Sequence, residues 1–169
     1  NINNGGLSSI IGGTSNIIDL NESDSGIVGG RNNKIVAGGP TFYSSFIGGG
    51  QQNTIQNTNT SAIVGGTNGT ISGLSSIIGG GTNNKIDTFA YSLIIGGKSN
   101  YGNAEASGVV GGEFNNVTQM DYSEIIGGQH NTISYGGLGA GGNSCIVGGS
   151  NSTILTDHSF VAGGQGNVV

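Results

Sequence analysis

The sequence is poor in most of what marks an ordinary globular domain. Its 169 residues include no tryptophan, one proline (Pro40), one methionine (Met120) and one cysteine (Cys145). A single cysteine excludes a disulfide framework. The scarcity of proline excludes collagen, as does a glycine spacing that is not threefold. Charged residues make up 8% of the chain, about a third of the usual share. The only basic residues, Arg31, Lys34, Lys85 and Lys98, form no cluster, and the net charge is -5. Nucleic acid and anionic membrane surfaces both demand clustered cations, so neither is expected as a partner. No apolar run approaches the roughly 18 residues of a membrane span, so no membrane insertion is expected, and no signal peptide is visible. Glycine, by contrast, occurs 37 times. Each costs about 1 kcal/mol in a helix relative to alanine, so a helical fold is excluded.

One cassette recurs ten times: Ser, any residue, two aliphatic residues, Gly-Gly, and a further aliphatic residue after the glycines. The serines are Ser8, Ser25, Ser44, Ser61, Ser75, Ser92, Ser107, Ser123, Ser144 and Ser159. The pairs begin at Gly12, Gly29, Gly48, Gly65, Gly79, Gly96, Gly111, Gly127, Gly148 and Gly163. The late aliphatic column runs from Ile18 to Val169, with Gly102 its one lapse. Asn stands two places before that column in eight cassettes and shifts by one in the others, to Asn68 and Asn151. On this alignment the cassette is 11 or 12 residues long, while the connection to the next varies from 3 to 10. A fixed unit with one variable connection predicts a solenoid whose insertions leave from one edge. Ser-x-Ile-Ile reads as a short strand, Gly-Gly as a turn, and Asn-x-Ile as a second strand. Stacked Asn side chains can satisfy the turn backbone. The expected fold is all-β: a parallel β-solenoid, or β-roll, of about ten short coils, filling residues 1–169 as a single repeat segment. Asn1-Ile2 resembles the tail of a preceding coil, and no end carries a cap, so a longer fibre or end-to-end stacking is expected.

Adjacent strand residues face opposite ways. The first aliphatic column (Ile10, Ile27, Phe46, Ile63, Ile77, Ile94, Val109, Ile125, Ile146, Val161) is therefore expected inside. The second (Ile11, Val28, Ile47, Val64, Ile78, Ile95, Val110, Ile126, Val147) is expected outside, as a self-association seam at a threefold axis. The alternative is a kink that turns both columns into one core.

The cassette, as in Ser61-Ala62-Ile63-Val64-Gly65-Gly66, resembles the head repeats of YadA-type trimeric autotransporter adhesins and of viral fibres. That resemblance implies a left-handed β-roll, a homotrimer, and an extracellular place on a cell or virion surface. The Asn-x-Ile and Gly part is similar, more weakly, to grass ice-binding β-rolls, whose flat Thr/Ser/Val array has no Thr column here to match it.

Chemistry-bearing motifs fail on spacing. Gly97-Lys98-Ser99 lacks the glycine a phosphate loop needs, because Ser92 stands there. The Gly-Gly pairs lack the following Asp of calcium-binding repeats. Asp19, Glu22 and Asp24 read as a solvated acidic loop, Cys145 as a buried or half-buried thiol, and His130, His158 and Asp157 as turn and loop residues. No enzyme, cofactor or metal site is expected. Aromatic residues gather at the connections: Phe42, Tyr43, Tyr91, Tyr101, Tyr122 and Tyr135 are candidates for contacting a glycan or cell-surface receptor. The expected function is a structural and adhesive fibre module, with a filament subunit or an ice binder as the alternatives.

Overall fold

The computed structural model describes residues 1–19, 22–36, 42–135 and 141–169; the side chains of Glu22, Phe42 and Tyr43 fall outside that description. Each cassette makes two strands of two or three residues with a glycine corner between them. The strand after the Ser column stacks into a ten-stranded sheet, the Ser-led sheet, running from Ser9–Ile10 to Phe160–Val161. The strand after the Asn column stacks into a second ten-stranded sheet, the Asn-led sheet, running from Ile2–Asn3 to Thr153–Ile154. A column of single bridges, from Thr14↔Arg31 to Ser150↔Gln165, forms a third parallel ladder at the corner between them. Every pairing is parallel and joins successive coils, so the chain is an all-β parallel solenoid with about nine full turns and, among the described residues, no helix. The variable connections add two small pairings of their own, Glu22–Ser23 with Phe42–Tyr43 and Met120–Asp121 with Gly141–Gly142.

Alternation along each strand sends one aliphatic side chain inward. Ile27, Ile47, Ile63, Ile78, Ile94, Val109, Ile125, Ile146 and Val161 line one inner wall; Ile18, Ile35, Ile55, Ile71, Ile86, Val117, Ile133 and Ile154 line the other. Each stacks on its counterpart about 4.8 Å away, so the coil core is one residue deep from each wall. At the Gly102 lapse, buried Ala104 and Met120 enter the same cluster from the connections.

The strand register corrects the alignment at coils three and five. Ala62 pairs with Phe46 and Ile77, and Ile63 with Ile47 and Ile78. The corner serines there are thus Ser45 and Ser76, and the turn glycines are Gly49-Gly50 and Gly80-Gly81. Ser44 and Ser75 instead take the positive-φ position just before the corner. With this shift every cassette is eleven residues from Ser to the late aliphatic position, Ser45 to Ile55 and Ser76 to Ile86 included.

Two polar ladders hold the corners. Each Asn accepts through Oδ1 from the backbone N–H of the next coil, as Asn100 does from Asn115 at 3.0 Å. Its Nδ2 donates to the first turn glycine of its own coil and the second of the next; for Asn100 these are Gly96 and Gly112, both 3.0 Å away. The ladder therefore runs from side chain to backbone, not from amide to amide. Gly69 and Ser152 occupy the ladder position where Asn68 and Asn151 had been aligned; the latter two sit one place earlier, at positive φ. At the opposite corner Ser Oγ accepts the N–H of the next serine, as Ser76 does from Ser92 at 3.1 Å, with a break at Ser45, whose buried Oγ has no partner. Asn and Ser suit these columns because the corner leaves buried backbone groups without a strand partner.

Candidate functional site

In each Ser-led strand and the residue after it, the two positions flanking the inward one face outward, and together they form an apolar surface that runs through every coil. Of the nine residues expected on the outward seam, Ile11, Val28, Val64, Ile95, Val110, Ile126 and Val147 are exposed, from 38% at Val110 to 76% at Ile11. Ile47 and Ile78 are not: both are fully buried, because the register shift turns them inward. Their outward places belong to Gly48 and Gly79, where a Cβ would fall on the carbonyl oxygens of Val64 and Ile95 in the next coil. The bulk lost there reappears one place before the inward residue, at exposed Phe46 and Ile77. The strands stay extended, so the kink that would bury both columns does not occur.

The other outward column reads Ser9, Gly26, Phe46, Ala62, Ile77, Leu93, Gly108, Glu124, Cys145 and Phe160 in register. Eight of the ten coils set one large side chain beside one small one: Ser9 with Ile11, Gly26 with Val28, Phe46 with Gly48, Ala62 with Val64, Ile77 with Gly79, Gly108 with Val110, Cys145 with Val147, and Phe160 with Ala162. Coils six and eight are the exceptions, with Leu93 beside Ile95 and Glu124 beside Ile126. A hollow of about 260 Å³ opens over Gly26, walled by Ile11, Val28 and Phe46. A second, of about 330 Å³, lies at the edge of the face among Tyr122, Glu124, Ser144 and Cys145. Glu124 is the one charged residue of the two outward columns, and Asp24 borders the hollow over Gly26. Burial pushes the half-buried Cys145 thiol above its ordinary range, and the Glu124 carboxylate adds to the effect.

The outer face of the Asn-led sheet is polar between apolar ends. Its leading column starts with Ile2 and Ile17, carries Lys34, Thr54, Thr70, Lys85, Tyr101, Asn116, Thr132 and Thr153, and ends at Val168. A partial Thr column, absent from the cassette alignment, thus exists, but Lys34, Lys85 and Tyr101 break it. Lys85 Nζ donates to Asp87 Oδ2 at 2.7 Å, which raises the lysine and lowers the carboxyl from their usual ranges. Tyr101 donates its hydroxyl to the same carboxylate at 3.4 Å, and burial raises its phenol. At the bridge corner Lys98 pairs with Glu113 at 2.7 Å, and Phe114 stacks on His130 at 4.9 Å and 11°.

The aromatic candidates scatter over different surfaces. Tyr91 and Tyr122 are exposed at 65% and 62% and both occupy the positive-φ place before the corner serine, two coils apart. Tyr101 lies within a sheet strand, not in a loop, and Tyr135 packs against the core cluster. Phe42 and Tyr43 form a short strand whose side chains are outside the described set. The larger apolar residues of the leading outward column, Phe46, Ile77, Leu93 and Phe160, were legible signals that the seam reading missed. Among the described residues no three His, Cys, Asp or Glu side chains gather at metal-binding distance, and no helix is long and apolar enough to cross a membrane. No protein-family model and no curated protein matches the sequence.

Proposed function

We propose that the chain is a structural and adhesive module of an extracellular fibre on a cell or virion surface. In this reading it acts as a rigid rod that associates with copies of itself. The observation that carries the proposal is the apolar outer face of the Ser-led sheet, whose two outward columns Glu124 alone interrupts with a charge. Exposed aliphatic and aromatic side chains recur there in every coil, on a molecule with few charges elsewhere. Fully burying such a side chain is worth roughly 1.5–3 kcal/mol; these are 38–76% exposed, so covering what remains gives a fraction of that at each, summed over ten coils. The role is mechanical and recognitive, not catalytic, and calls for no cofactor and no nucleic acid. The resemblance to YadA-type heads and viral fibres supports the same reading, since such rods set reach while their edges touch a receptor. Exposed Tyr91 and Tyr122, repeated on one edge, are the receptor-facing candidates, suited to stacking on a glycan or a protein surface.

The test has two arms. Light scattering of the purified chain is expected to give a discrete homo-oligomer; a monomer at all concentrations removes the self-association. Binding to host cells or a glycan array is expected to fall at least tenfold in Tyr91→Ala/Tyr122→Ala with the oligomer intact. Long fibres by electron microscopy would favour a self-stacking filament subunit instead. Thermal hysteresis would favour ice binding, for which the interrupted Thr column is a poor lattice.

A further inference from the structure

From the pairing of large and small side chains on the outer face of the Ser-led sheet, we infer that two copies of this chain pack there face to face, parallel and in register, about a twofold axis along the rod. The inference rests on the self-association part of the reading above and specifies its geometry.

A twofold axis along the rod keeps coil opposite coil and reverses the strand direction across the interface. The leading outward position of each coil then faces the trailing outward position of the same coil in the partner copy. In eight of ten coils this sets a large side chain opposite a small one: Val110 over Gly108, Phe46 over Gly48. A solvent-facing surface has no reason to couple the two positions. Close packing does, because overfilled and empty places both cost stability. The coupling survives even where local geometry forces a change. Gly48 and Gly79 cannot carry a side chain against the next coil, and Phe46 and Ile77 restore the bulk at the other position. Sliding the partner by one coil loses the match, since Phe46 would then meet Val64 and Gly26 would meet Gly48. Reversing the rods sets each column against itself, so that Val28 meets Val147, Val64 meets Val110 and Ile77 meets Leu93, while Gly26 meets Cys145 and Ala62 meets Gly108.

Symmetry and area agree. One self-complementary apolar face suits an isologous twofold contact, whereas a threefold ring needs two different patches. Ten coils of about 4.8 Å, with three strand positions of about 3.3 Å each, give a face of roughly 480 Å² per copy. The pair buries on the order of 1,000 Å² in total, at the lower bound of specific interfaces.

Three measurements test the pairing. Light scattering should give twice the 16.7 kDa chain mass. A trimer would overturn the geometry while leaving self-association standing; a monomer would overturn both. In Val147→Cys, the new thiol faces the partner's Cys145, so mild oxidation should give a covalent dimer on a non-reducing gel. Covalent trimers, or no cross-link, count against the pairing. Gly108→Leu should weaken the dimer at least about tenfold by setting large against large. A Cβ there meets Leu93 and Glu124 only at ordinary contact, 3.6 Å, so the coil itself accepts it. Gly108→Leu/Val110→Gly, which exchanges the two bulks, should restore the dimer. If Gly108→Leu fails to fold by circular dichroism, Gly26→Val tests the same point at coil two, where a Cβ meets Phe46 at 3.7 Å. An unweakened dimer in the single variant, or no recovery in the exchange, overturns the proposal.

Discussion

Neighbouring glycines in one turn do different work here. The second glycine of each pair has φ between 84° and 94°, and at every pair but the last, Gly163-Gly164, a Cβ on it would collide with the backbone of the coil above. On Gly97 that Cβ would fall on the Gly112 carbonyl oxygen and 2.6 Å from the Asn100 Nδ2. The first glycine, Gly96, meets nothing within 4 Å. Gly97→Ala is therefore expected to cost at least about 3 kcal/mol, from strain plus a ladder pushed apart. Gly96→Ala should stay within about 0.5 kcal/mol of the parent. Urea melts of the two variants check this, and equal losses would refute the assignment of roles. Gly102, the lapse in the core, predicts the opposite sign. Its φ is not in the left-handed region, and a Cβ meets only Ile86 at 3.8 Å. Gly102→Ala should stabilise the chain by about 0.4–1 kcal/mol through the unfolded state, seen as a raised Tm. The sequence carried the glycine pattern plainly, yet left the register at Gly48-Gly49-Gly50 and Gly79-Gly80-Gly81 ambiguous. Ser44-Ser45 and Ser75-Ser76 let two alignments match equally well. The spacing of three residues from the positive-φ glycine to Asn, as from Gly13 to Asn16, distinguishes them, but only if the ladder is known to set it.

At the scale of the coil, strands this short cannot hold themselves, and the ladders supply what strand length does not. The Asn115 side chain makes three hydrogen bonds, one to Gly111 of its own coil and two, to Gly128 and Asn131, that join it to the next. Asn115→Ala leaves buried backbone groups unpaired and should cost about 2–4 kcal/mol, measured by denaturant melts. Gly69 breaks the same ladder: it has no side-chain oxygen, so it cannot serve the N–H of Asn84 as Asn53 serves Gly69 at 2.9 Å. Gly69→Asn should stabilise by about 1 kcal/mol or more, provided Asn53 Oδ1, 3.1 Å from the new Cβ, gives way slightly. A loss of stability would show that the ladder tolerates no further side chain there. The ion pairs contribute far less. Asp87 is held below the usual carboxylate range by the Lys85 ammonium, so its contribution is present above about pH 4 and fades as pH falls further. The pair is part-exposed and worth at most about 0.5 kcal/mol, so Lys85→Met should scarcely move an acid-denaturation midpoint. The Asn column was legible as a column; its bonding to backbone was not, because that depends on two positive-φ residues per corner that the composition does not reveal. Tyr101 was assigned to a loop because Gly102 hides the strand beside it.

For the whole molecule, each coil touches only its neighbours, so stability is close to a sum of coil and interface contributions along one dimension. Parallel stacking of one cassette type was legible from periodicity alone, and the structure adds that the core is a single file of side chains from each wall. Damage in such a stack should therefore stay local at the last coil and spread from the middle. Ile94 sits between Ile78 and Val109, whereas Val161 has a stacked neighbour on one side only, Ile146. In the 169-residue chain, Val161→Ala should raise hydrogen exchange only in the amides of the last coil or two. Ile94→Ala, which leaves a cavity in a fully packed file, should cost about 2–5 kcal/mol and raise exchange across coils five to seven on both sides. Hydrogen exchange read by mass spectrometry distinguishes these patterns. Uniform acceleration over all coils in both variants would mean that the rod melts as one cooperative unit, and the nearest-neighbour account would not stand.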